Sequence, residues 1–532
     1  MSQVISMPTF TVAAVRQTEQ VPRDVRERIL RSVQYNVFAF PAALVVADFL
    51  SDSGTGAMTT NQWSAIMQGD ESYGRNCGYY YFLEAVRDIF ERGEHRLNAF
   101  QEMRPDLKTN TAFERYLEYQ EKGFVNGGLA QMTRPNFFLV PQGRCAESLL
   151  FQATAHAFSQ PNSQQPIIIS NGFFDTTSGN ASAAGFRLIT FAQEGWMHSQ
   201  PIQDWQNKNT FKGNMDISAA ERFLSNRDQQ GRVALIILTI TNNFAAGQPV
   251  SMENIREVSR LSKEFNIPLI FDACRFAENA MFIKRYESGY KDSPVPEIIR
   301  EIFSEADGFT ISLKKDGLAN MGGILCLRDG GKYTTKYQGI GTAIREQQIL
   351  RYGNDSYGGM SGRDLMAATV GLYEGTKESY LSSRLDQVNR FAERFAEARL
   401  PVLLPPGSAV FLDMDVFFED CNREYEDFGA LGFTLELLGS YGVRTFELGP
   451  FASEWDTLED EEKAKTVIPN LVRFSIPRNA MTDQHLDYTV TAVKELMNRR
   501  HTIQGVRITH GKNLRLRHFQ AALEPIPISS TS

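Results

Sequence analysis

The chain has 532 residues, 63 of them acidic and 55 basic, for a formal net charge of −8. That length exceeds one ordinary hydrophobic core, so two or more domains are expected. A composition of 42% hydrophobic and 22% charged residues is that of a globular protein, and the acidic balance argues against nucleic acid or an anionic membrane as a partner.

No run of eighteen apolar residues occurs, so no membrane span is expected. The first twenty residues lack a basic stretch followed by an apolar block, so no secretory signal is expected either. Five cysteines (Cys77, Cys145, Cys274, Cys326 and Cys421) show no CxxC spacing, and the seven histidines show no HExxH pair. A disulfide framework or a zinc site would look different, and a reduced, cytoplasmic setting is expected.

In chain order, the segment from about Glu91 to Asn136 is rich in charge mixed with Phe, Asn and Gly, and reads as an insertion of mostly helical character. Pro166–Ser170 is a short apolar run ending in a polar residue. Val233–Ile240 is almost continuously apolar, as expected of a strand covered on both faces. Ser251–Phe265 has helical spacing, with Ile255, Val258 and Leu261 on one face and Ser251 as N-cap. Strands follow at Ile267–Phe271, Gly308–Leu313 and Gly323–Leu327. This alternation predicts an α/β fold with a mostly parallel sheet. One long amphipathic helix is expected over roughly Gly362–Ala398, then a smaller α/β domain with strands at Ala409–Met414 and Asn470–Ser475. The expected division is 1–50 as an N-terminal arm and part of the small domain, 51–358 as the large domain, and 359–532 as the small domain.

Two strand ends carry the strongest chemical signal. Phe271-Asp-Ala-Cys-Arg275 closes one strand and Ser312-Leu-Lys-Lys-Asp316 a later one. In open α/β sheets the ligand crevice lies at the carboxyl ends of the strands, so both motifs face it. Pyridoxal-5′-phosphate (PLP) chemistry needs a carboxylate to keep a pyridine nitrogen protonated and a lysine to attach the cofactor. Asp272 and Lys315 are the candidates. The blander alternative is that Asp272 caps a turn and that Lys314 and Lys315 are solvated. Gln142-Gly143-Arg144, after the apolar Phe137–Val140 and before a helix, is a candidate phosphate cup to which Ser312 adds a hydroxyl. Arg478, just past a strand of the small domain, is a candidate clamp for a substrate carboxylate.

The blocks GDESYGRNCGYYYFLEAV, QGRCAESL, NGFFDTTSGN, TNNFAAGQPVS, FDACRFAENAMFIK, SLKKDGLANMGGILC, YGGMSGRD and SIPRNAMT resemble those of the β-eliminating lyases, the tryptophanase and tyrosine phenol-lyase group, in the same order from about Tyr35 to Leu523. The resemblance implies PLP-dependent transferase fold type I, like aspartate aminotransferase, a homotetramer with active sites at subunit interfaces, and activation by a monovalent cation such as K⁺. It implies cleavage of an aromatic amino acid to an aromatic product, pyruvate and ammonia. It also implies that Lys315 binds PLP, that Asp272 contacts the pyridine nitrogen, and that Asn243 and Arg275 contact the phenolic oxygen. Phe174 would stack on the ring, and Gln142, Gly143, Arg144 and Ser312 would hold the phosphate. Ser51, Asn243 and Arg478 match the substrate-carboxylate positions. Tyr73 matches the general acid, reaching across a subunit interface. Gly54, Glu71 and Asn320 match the cation ligands.

Within that resemblance, phenol-lyases carry an arginine where this chain has Leu448. Tryptophanases carry Asp-Thr after the stacking aromatic, here Asp175-Thr176, and a histidine in an LRHF motif, here His518. A tryptophan-type substrate is expected, with Asp175 and His518 serving the indole. The blander alternatives are a cap at Asp175 and a surface His518. The departures are the insertion, Val140-Pro141 before QGR, and GRNCGYYY after Tyr73; they leave a ring-substituted tryptophan open. Tyrosine phenol-lyase activity, another PLP-dependent elimination, transamination and a catalytically silent fold are the competing readings.

Overall fold

Seven buried or half-buried strands form the main sheet. They are β1 (Phe137–Val140), β2 (Ile167–Ser170), β3 (Arg187–Thr190), β4 (Val233–Thr239), β5 (Leu269–Asp272), β6 (Gly308–Ser312) and β7 (Gly323–Leu327), in the order β1-β7-β6-β5-β4-β2-β3. β7 runs antiparallel to both its neighbours and the other pairings are parallel. All seven residues of β4 are buried, because helices cover both faces of a parallel sheet and leave no polar side to alternate with. The edge strand β3 has the opposite pattern, half-buried or exposed throughout, which is why no apolar run marks it in the sequence.

The structure is a computed structural model, and it describes all residues except 1–8, 10, 12–14, 92–135, 159–163, 200–210, 422, 458–467 and 528–532. The chain separates into two units. One comprises Ser53–Trp196 and Asn209–Arg384 and contains the seven-stranded sheet; the other comprises Met1–Asp52, Met197–Lys208 and Leu385–Ser532. The insertion expected at about Glu91–Asn136 lies, from residue 92 to 135, outside the described residues.

Ser251 caps the helix Met252–Glu264 through a bond from the Asn254 N–H, as its sequence predicts. The single long helix expected over Gly362–Ala398 is instead two helices, Gly362–Gly375 and Glu378–Glu397. The break has a local cause. The Thr376 hydroxyl donates to the carbonyls of Leu372 and Tyr373 at 3.1 Å each, competing with the backbone ladder. Gly375 also sits so close to the Asp316 carbonyl that a Cβ there would be 2.0 Å from it.

In the second unit, Val410–Asp413, Leu471–Phe474 and Phe446–Leu448 form an antiparallel three-stranded sheet. Its core gathers Phe391, Phe395, Phe433 and Phe474. No helix of the described residues is long and apolar enough to cross a membrane.

Candidate active site

The carboxyl ends of the parallel strands β2, β4, β5 and β6 lead into Phe174-Asp175, Asn243, Asp272–Arg275 and Ser312–Asp316 respectively. The sheet therefore brings the two strand-end motifs to one edge. Asp272 and Arg275 are both buried. Burial raises the Asp272 carboxyl above its ordinary value, against the opposing pull of Lys315, Cys274 and Arg275. The Cys274 thiol, itself pushed up to about 12 by burial, stays a donor and lies 3.4 Å from Asp272 Oδ1. Its sulfur in turn accepts from the Ser312 N–H at 3.3 Å. The thiol thus ties the end of β5 to the end of β6.

Two adjacent lysines take different environments. Lys315 acts electrostatically on both Asp272 and Cys274. Lys314 lies beside Gly54, whose N–H donates to the Lys314 carbonyl at 2.7 Å, and its amine is lowered by burial, then by Lys315 and Arg144. Asp316 fixes the turn that presents them. Its Oδ2 accepts from the Ala277 and Glu278 N–H groups at 2.8 and 3.0 Å, capping the helix Phe276–Tyr286 that starts after Arg275.

The candidate phosphate cup is built by close approach. Gln142 is extended and makes no side-chain cap bond to the helix Gly143–Ala157, so its side chain does not occupy the start of that helix. A Cβ on Gly143 would lie 2.8 Å from Ser312 Cβ, and one on Gly323 would lie 2.4 Å from the Gln142 carbonyl carbon. Only glycine permits this approach. The resulting cradle of backbone amides, the Ser312 hydroxyl and Arg144 fits a phosphate, and the adjoining Asp272 fits a protonated ring nitrogen. Phe174 is the N-cap of the helix Asp175–Ala183, and the Asp175 carboxylate accepts from the Thr176 N–H at 2.6 Å.

The other candidates lie elsewhere. In the second unit Arg478 Nη1 donates to Asp52 Oδ2 at 2.9 Å, both side chains fully buried, with Ser51 the residue before Asp52. Also in that unit, His518 is buried against Phe38, Phe446 and Phe519, and Leu448 ends the strand Phe446–Leu448. Buried Arg517 anchors this turn, donating to the Phe451 carbonyl at 2.8 Å and to Asp456 at 2.5 Å. His518 is therefore not a surface residue. In the first unit, Asn320 Nδ2 donates to the Gly54 carbonyl at 3.0 Å, while Glu71 pairs with Arg363 at 3.1 Å. Tyr73 is 75% exposed and stands against Tyr357, with ring centroids 5.6 Å apart.

The residues that sequence reading missed are Glu147 and Thr177, both buried beside Asp272. An acid on the apolar face that Leu150 and Phe151 share was the available signal for Glu147.

With this geometry established, comparison decides the family. The model of the β-eliminating lyases matches residues 48–492. The chain belongs to the β-eliminating lyase family. It is 35% identical to a tryptophanase of Salinibacter ruber over 97% of this chain and 95% of that protein. It is also 32% identical to a tyrosine phenol-lyase of a Symbiobacterium species over 97% and 98%. Among solved structures, a PLP-bound C–S lyase from Staphylococcus hominis shares the fold, with a TM-score of 0.53 at 10% identity over 87% of this chain and 95% of that one. The chain has the mostly parallel α/β sheet expected from its strand pattern and the fold type I architecture that the family resemblance implied, and it is a β-eliminating lyase of the tryptophanase and tyrosine phenol-lyase group. Family membership implies PLP as cofactor and an amino acid as substrate.

The cradle gives a test that needs no substrate. Gly143→Ala places a methyl against Ser312, and PLP affinity measured by fluorescence titration is expected to fall at least about tenfold, roughly 1.4 kcal/mol. Unchanged affinity would show that this face does not meet the phosphate.

Proposed function

We propose that this lyase eliminates an indole from L-tryptophan or a ring-substituted tryptophan, and that water then hydrolyses the remaining three-carbon fragment to pyruvate and ammonia. The observation that carries the reading is the aromatic wall at His518, flanked by Phe38, Phe446 and Phe519 with ring centroids 5.7, 5.4 and 4.4 Å away. Leu448 follows on the same strand as Phe446. An apolar, aromatic environment with one imidazole suits an indole. A phenol hydroxyl would need a charged or polar partner, and Leu448 offers none.

When bound, PLP supplies an electron sink for charge that develops at the substrate α-carbon. Asp272 would keep the ring nitrogen protonated, Asn243 and Arg275 would hold the phenolic oxygen, and Phe174 would lie against the ring. Arg478, with Ser51 and Asn243, orients the substrate carboxylate. The Lys315 amine takes the α-proton. Carbon is a poor leaving group, so Tyr73 must protonate the indole carbon before it departs, with Asp175 and His518 at the indole N–H. A hydrogen bond with Tyr357 raises the Tyr73 phenol above its ordinary value, so Tyr73 carries its proton at neutral pH, as an acid must. Its exposure suits a residue that serves a neighbouring copy, and we assign the active species as a homotetramer in the cytoplasm. The Gly54 and Asn320 carbonyls, joined by Glu71 in the assembly, are assigned to K⁺; oxygen donors suit that hard cation.

The test is pyruvate release from tryptophan, ring-substituted tryptophans, tyrosine and S-alkyl cysteine. Pyruvate is expected from at least one indole amino acid at well above the tyrosine rate. Pyruvate from tyrosine and from no indole amino acid would assign the chain to the phenol-lyase branch.

A further inference from the structure

We propose that Glu147 is a positioning residue for the ring-nitrogen carboxylate, holding a proton and passing a hydrogen bond through Thr177 to Asp272. The inference rests on the reading of Asp272 given above.

Glu147 lies one turn into the helix Gly143–Ala157, and it is buried together with Thr177 and Asp272. Thr177 Oγ1 is 2.7 Å from Glu147 Oε1, and Asn180 Nδ2 donates to Oε2 at 3.3 Å. The same threonine also acts on the Asp272 carboxyl, drawing it down against the effect of burial. Thr177 therefore stands between two buried acids.

A hydroxyl carries one proton. Between two ionised carboxylates it can satisfy only one, and the two buried like charges repel. One proton on one of the acids removes both problems. The protonated acid then donates to the hydroxyl, and the hydroxyl donates to the remaining carboxylate.

The surroundings choose which acid keeps the proton. Asp272 faces two cations, Lys315 and Arg275, and the Cys274 thiol. Glu147 faces Asp272 and Asp175, with Thr177 and Thr176 as hydrogen-bonding neighbours, and it also acts on Cys274. The cations favour charge on Asp272, so the proton stays on Glu147. Burial, followed by the Asp272 charge, pushes the Glu147 carboxyl up to about 7. The arrangement is therefore complete in mildly acid solution and is lost as pH rises through neutrality. Glutamine at this position donates at every pH and copies the protonated form.

The linkage has a definite sign. The folded value of Glu147 lies above the ordinary 4.5, so its contribution to stability is intact below about 4.5 and is lost as pH rises through about 7. Glu147→Gln carries no such loss. In cofactor-free protein, the difference in Tm between E147Q and wild type is expected to widen from about pH 5 to about pH 8. With PLP bound, the absorbance of the wild type is expected to show a transition near neutral pH that E147Q lacks. Thr177→Val, which cuts the path but leaves Glu147, should lose the same transition. A pH-independent Tm difference, or an unchanged spectral titration in E147Q, would overturn the proposal. Failure of wild type to bind PLP would instead overturn the reading of Asp272, and the Tm comparison would still decide the proton on Glu147.

Discussion

In Lys315→Ala the absorbance band of covalently held PLP is expected to disappear, and turnover to fall at least about 10⁴-fold, a loss of more than about 5 kcal/mol of barrier lowering. The expected effect is this large because one amine serves twice in the proposed chemistry, attaching the cofactor and taking the α-proton. Lys314→Ala is the control. Lys314 faces Gly54 and Arg144, whereas Lys315 faces Asp272 and Cys274, so the band should survive in Lys314→Ala. Absorbance spectra of both variants with added PLP check the pair. A band that persists without Lys315 and vanishes without Lys314 would reverse the assignment.

The second large effect is expected at Asp272. Asp272→Asn keeps the size of the side chain and removes its charge, so nothing holds the ring nitrogen protonated, and kcat should fall roughly 10³-fold, about 4 kcal/mol. This is a loss of function without a loss of fold. Burial raises the carboxyl in the folded protein, so its contribution to stability is present only at low pH and is lost as pH rises through the folded value. At neutral pH the cofactor-free variant should therefore melt no lower than wild type. Steady-state kinetics and thermal melts of the same preparation check both halves. A variant that is unfolded rather than inactive would mean that Asp272 is structural.

Much of this site was legible before any coordinates. β4, β5 and β6 are largely apolar runs because both their faces are covered, and Asp272 and Ser312, which end β5 and β6, and Lys315 just beyond stand out as polar residues. The edge strand β3 was illegible because it is half solvated. The break near Thr376 was hidden because amphipathic spacing continues across it. The neighbours that tune the site were hidden for another reason. Asp52 meets Arg478 across 426 residues of sequence, and Thr177 meets Glu147 across 30. Only the tertiary fold makes such pairs, whereas a strand end followed by a lysine is a local pattern. The proposed substrate positions Leu448, Asp175 and His518 were legible only through resemblance to the family. Burial of His518 among three phenylalanines then gave that histidine a physical setting.

The central claim is that this lyase releases an indole from tryptophan by elimination. It is tested most directly by product stoichiometry when PLP-loaded wild type is incubated with L-tryptophan and K⁺. The account predicts indole, pyruvate and ammonia in equal amounts. Consumption of tryptophan without indole, or transfer of its amino group to a keto acid in place of ammonia release, would contradict it.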